Sequence, residues 1–131
     1  VNNVDEGLNA LIQRGFRFQH LRDRQGAVSV IIGSYGWSEY YDCIHIHGER
    51  DAAAARAVMN SRPGADEVVW SYDGNALSAI RALLELPKPH EPGAPRLAKR
   101  APSGLWLPGS GHDLVVPPGL FLAPSAYSSR G

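Results

Sequence analysis

The stretch AVSVIIGSYGWSEYYDCIHIH, residues 27–47, decides what kind of fold this chain adopts. It is rich in β-branched and aromatic residues, which suit a pleated and half-buried surface, and glycines at 33 and 36 punctuate it where a turn is needed. Two strands are therefore predicted, over residues 27–32 and 39–47, joined by a turn over 33–36. In the second of these, alternation sends Ile44 and Ile46 into a core and leaves Tyr41, Cys43, His45 and His47 on the opposite face.

Working outward, residues 16–21 read as a further strand, joined through a turn over 23–26, which completes a three-strand antiparallel meander. Ahead of it, Asn3 is placed to cap a helix, with Glu6 three residues on as the reciprocal partner and Val4, Leu8, Leu11 and Ile12 on one face. Gly15 ends that helix. Beyond the meander, residues 49–60 are predicted to be helical. Glu49 and Asp51 fall in a first turn, where the helix dipole favours acids, and four consecutive alanines from 52 to 55 suit close packing. A fourth strand is predicted over 67–72, and a turn over 73–75 leads into a helix lined by Leu77, Ile80, Leu83 and Leu84. The resulting order, α-β-β-β-α-β-α, describes an α+β fold with the helices packed on one face of the sheet and a right-handed strand-helix-strand crossover. The other face is left for solvent, the C-terminal arm or a partner.

A chain of 131 residues and 14.2 kDa has the size of one ordinary domain and can bury a core without disulfide or metal staples. Its composition changes at Pro87. Nine of the ten prolines lie from there onward, so residues 1–86 are read as the α+β domain and 87–131 as an extended Pro/Gly-rich arm. The arm is unlike a solvated linker, because Leu105, Trp106 and Leu107, then Leu114, Val115 and Val116, then Leu120, Phe121 and Leu122 form apolar clusters. These clusters are expected to dock on the domain or on a partner subunit. Thirteen basic residues balance thirteen acidic ones, which removes the cationic field of a dedicated nucleic-acid binder. The single cysteine points to a reducing compartment. With no long apolar run and no signal-like start, the chain reads as soluble and cytoplasmic, without membrane contact.

The row Cys43, His45 and His47, spaced about 7 Å apart along its strand, is the most suggestive chemistry. Thiolate and imidazole are zinc ligands and two histidines at this spacing can chelate, but the row is read first as polar or half-buried residues on the open sheet face, with no cofactor expected and zinc as the alternative. A third ligand is required; His20 is predicted to share the core-facing register of Phe16 and Phe18, and His112 would have to fold back from the arm. The His-x-His-x-Asp-His pattern of metallo-β-lactamase-type hydrolases is not met, because Glu49 and Arg50 stand at its last two positions. Nucleophilic catalysis lacks an orienting carboxylate, since Asp42 points to the face opposite Cys43. No phosphate-binding glycine loop is present. The order α-β-β-β-α over residues 3–60 is similar to that of double-stranded-RNA-binding domains, but Glu49 and Asp51 stand where phosphate would sit.

Aromatic residues crowd the start of the third strand. The sequence therefore points to a small non-catalytic binding or regulatory protein acting through protein-protein contacts, by self-association or as an immunity-type inhibitor, with Trp37, Tyr41, Trp106, Leu107 and Phe121 as the contact residues. The opposing expectation is a metal-dependent or acid-base enzyme built on His45 and His47, with Cys43 beside them.

Overall fold

The computed structural model describes residues 1–22, 24–59 and 67–101. In chain order these form α1 (Val4–Gln13), β1 (Arg17–Arg22), β2 (Val28–Gly36), β3 (Tyr40–Gly48), β4 (Asp51–Val58), β5 (Glu67–Gly74), α2 (Ala76–Glu85) and β6 (Lys99–Arg100). The strands make one antiparallel sheet in which each pairs with its neighbour in sequence. Both helices pack on the same face of that sheet, so the fold is α+β as the hydrophobic pattern implies.

The segment expected as a helix over 49–60 is instead strand β4. Its alanines have the highest intrinsic helix propensity, but that preference amounts to tenths of a kcal/mol per residue and yields to pairing. Between β3 and β5, β4 satisfies ladder hydrogen bonds on both sides, which a helix there would leave unmade on two central strands. Alanine also suits the packing, because Ala52 and Ala54 face the helices and their small side chains let α2 approach the sheet closely. With β4 in place there is no strand-helix-strand crossover between β3 and β5.

The expected turn over 33–36 lies further on as well. Strand β2 continues to Gly36, and the chain reverses where Trp37 N–H donates to the Tyr40 carbonyl at 2.7 Å. Gly33 serves a different need. The Phe18 ring of β1 lies across it, and a Cβ at that position would sit 2.4 Å from a ring carbon.

Both helix starts form as their sequences suggest. The Asn3 side chain accepts from Glu6 N–H at 2.8 Å, while the Glu6 carboxylate accepts from Asn2 N–H, one residue further back than the usual reciprocal bond. Asn75 caps α2 through Ser78 N–H at 2.8 Å. The two helices touch where α1 carries Gly7, whose missing Cβ would lie 2.6 Å from Ile80 Cγ2. The principal core then joins Leu11 and Phe16 to Ile44, Ile46, Ala52, Ala54, Ala76, Ala79, Ile80 and Leu83. A second, smaller cluster of Cys43, Ala55, Ala57 and Val68 occupies the opposite face. No described helix is long and apolar enough to cross a membrane.

Candidate functional site

The helix-covered face carries one charged pair within its apolar strands. Asp42 has the same strand parity as Ile44 and Ile46, and Arg56 stands directly opposite it on β4. Arg56 is 1% exposed and donates from Nε to Asp42 Oδ1 at 2.7 Å and from Nη2 to Oδ2 at 3.0 Å. Its Nη1 donates to the Pro87 carbonyl just past α2, at 2.7 Å. Such a two-point pairing fits the planar guanidinium, and a buried ion pair needs it to offset the loss of hydration. The β4–β5 register shifts immediately after Arg56, so that Trp70 pairs with Arg56 and Val68 with Ala57. A bulge of this kind bends the strand and re-aims the neighbouring side chains.

Trp37, at the β2–β3 turn, closes over this pair. Its indole Nε1 donates to Asp42 Oδ2 at 3.0 Å, and the Arg56 guanidinium lies 5.7 Å from the centre of its ring. Tyr35 meets Trp37 edge to face at 4.8 Å between centroids, and Phe16 follows Tyr35 at 5.7 Å. These residues wall a cleft of about 630 Å³ beneath the C-terminal end of α2. Arg14, Glu85, Lys88 and Glu91 also line it, so basic and acidic side chains are mixed around the ion pair and the aromatic wall. The backbone N–H of Lys88 donates to the Glu91 carboxylate at 2.7 Å and fixes the loop there.

No family model, curated protein or solved structure matches this chain.

The row that the sequence singled out lies on the opposite face. Cys43 and His45 share one side of β3, as alternation requires, whereas the β3–β4 register shifts between Ile46 and Gly48, at His47, and the surroundings of the three differ. Cys43 is 0% exposed and His45 2%, whereas His47 is exposed. Burial, reinforced by the charge of Asp42, pushes the Cys43 thiol up to about 12, so it is protonated at neutral pH. Burial and the neighbouring His47 lower His45 to about 4, which keeps its imidazole neutral. Among the described residues, no group of three or more histidine, cysteine or carboxylate side chains is placed to hold a metal ion. His20 is exposed and opposes Ile31 on the helix side of the sheet, away from the row.

Of the expected contact residues, Trp37 lies in the cleft while Tyr41 packs against the smaller cluster on the other face, so the two do not form one patch. Trp106, Leu107, Phe121 and His112 lie outside the described residues. Sequence reasoning missed Asp42 and Arg56 as a pair, although a signal was present. A carboxylate at core parity between apolar strand residues needs a cationic partner, and Arg56 is the one charged residue within the alanine run that follows. Reading that run as a helix placed Arg56 on the wrong element.

Proposed function

We propose that this chain is a small non-catalytic binding protein that works through protein-protein contacts, and that the cleft around Trp37 is where the partner docks. The observation that carries this reading is the composition of the cleft. Its wall holds the half-buried Trp37 and Tyr35, aromatic residues of the type that dominates binding energy at protein interfaces, set over the buried Asp42–Arg56 pair. Arg14, Glu85, Lys88 and Glu91 line the same cleft with both signs of charge, the kind of polar surface that borders aromatic anchors at protein interfaces. The mixture suits a protein surface of similarly mixed charge better than a polyanion.

The protonation of the other candidate groups supports binding over chemistry. Asp42 accepts three hydrogen bonds, two from Arg56 and one from Trp37, so its carboxylate is committed to partners within the fold. The Cys43 thiol is held protonated and removed from solvent, where it is a poor nucleophile.

The test uses the full chain as bait, with Trp37→Ala beside it and light scattering to count copies. The expected result is a stoichiometric complex, with a partner or with a second copy, that weakens by at least about tenfold in the variant, as removal of a central aromatic does. A strict monomer that retains the same proteins with and without Trp37 would rule the reading out.

A further inference from the structure

Strand β1 is an edge of the sheet: among the described residues it pairs with β2 alone. Its register with β2 is unbroken from Arg17 to Leu21, so alternate residues of this stretch turn backbone N–H and C=O groups outward, where a further strand can pair with them. The side chains around that edge are cationic. Residues 14–24 carry Arg14, Arg17, Arg22 and Arg24 against one carboxylate, Asp23, in a chain whose formal net charge is zero. Arg14, Arg22 and Arg24 are exposed and Arg17 is half-buried. Among the described residues the one salt bridge joins Asp42 to Arg56, so none of these four arginines is ion-paired there. Arg22 is steadied instead by the Gly26 carbonyl, which accepts from its Nη1 at 2.9 Å.

We infer that this edge takes up an extended, carboxylate-bearing segment of a partner protein as an added strand. Backbone pairing supplies the attachment and the arginines supply the selection. A second copy of β1 is disfavoured. Antiparallel pairing over Arg17–Arg22 sets Arg17 of each strand against Arg22 of the other, and like charges directly opposite repel. The same two places favour glutamate or aspartate, since opposite charges across a strand pair attract. Arg17 and Arg22 stand about 17 Å apart along the strand, so the segment that fits is a run of roughly six extended residues, acidic towards both ends. A nucleic-acid strand offers phosphates to the arginines but no alternating donors and acceptors for the ladder. Arg17, Arg22 and Arg24 are not among the residues that wall the Trp37 cleft, so this edge is a separate surface whatever binds there.

The probe is a fluorescein-labelled peptide with a pair of glutamates at each end of a Thr-Val-Thr-Val centre, titrated with the full chain at low salt and followed by polarisation. Saturable binding is expected, weakened by at least about tenfold when lysines replace the glutamates or when the protein carries Arg17→Glu and Arg22→Glu. The peptide's two alternate sets of amides are also N-methylated in turn, which keeps every charge. A ladder uses one set, so at least one methylated peptide should bind about tenfold more weakly, and amide hydrogen exchange over residues 17–22 should slow in the complex. No measurable binding overturns the inference. Equal affinity for all three glutamate peptides overturns it too, because attachment is then by charge alone. Tighter binding of a short single-stranded DNA has the same meaning, and a loss of peptide affinity in Trp37→Ala would refute the edge by placing the peptide in the cleft. Should the double arginine variant fail to fold, the methylated peptides on the natural chain decide.

Discussion

The two faces of this sheet are built on opposite plans. On the helix side, Leu11, Phe16, Ile44, Ile46, Ile80 and Leu83 pack around small alanines, and a buried charged pair is tied to the strands, to the β2–β3 turn and to the end of α2. On the other side Cys43 and the alanines of β4 lie among Ile32, Tyr41 and Val68, and burial holds His45 neutral. The charges of Asp42 and Arg56 are retained because the fold pairs them, whereas burial keeps His45 neutral.

The contrast can be broken most forcefully at the ion pair. Asp42→Ala leaves Arg56 charged and buried and is expected to cost about 3–5 kcal/mol in urea unfolding. Combining it with Arg56→Met removes both charges and should recover much of that loss. A single Asp42→Ala cost below about 1 kcal/mol would mean that the pair is not buried as described.

Acid should act through the opposite face. His45 titrates near 4 in the fold and at its ordinary value of 6.5 in the unfolded chain, so the unfolded state takes up the proton first as pH falls. The stability associated with neutral His45 is therefore intact above about 6.5 and is lost progressively towards 4, by an amount on the order of 3 kcal/mol. His45→Gln should flatten this part of the pH profile measured by denaturant unfolding, and an unchanged profile would show that His45 is not the titrating group.

Where the helices touch, Gly7→Ala sets a helix-propensity gain of about 1 kcal/mol against a Cβ 2.6 Å from Ile80 Cγ2. The clash is expected to win, with a net loss of about 1–2 kcal/mol that Ile80→Val partly relieves. Smallest of all is His47→Ala. This side chain is exposed at the register shift near the end of β3, and the change should stay within about 0.5 kcal/mol at neutral pH. A larger effect would place His47 in a contact that its exposure denies.

Alternation and capping made much of this architecture legible. The parity of β3, the Asn3 and Asn75 caps and the strand character of β1, β2 and β5 all follow from local pattern. The alanine run was not legible, because alanine carries no periodic signal and its conformation is set by the strands on either side. That one segment concealed the cleft, since Arg56 meets Asp42 only when β4 is a strand in the observed register. Trp37 could be picked out as an interaction residue from its place beside a turn, but its bond to Asp42 could not. Cys43 and His45 drew attention through their chemistry, while their burial depends on what lies over the sheet.

The two faces can be separated in one titration. With the partner isolated by the full-chain bait, calorimetry on Trp37→Ala and on a His45→Gln, His47→Ala variant measures which face recognises it. The account predicts a loss of at least about tenfold in affinity for the first and an unchanged value for the second. Affinity that survives loss of Trp37 and collapses with the histidines would contradict it.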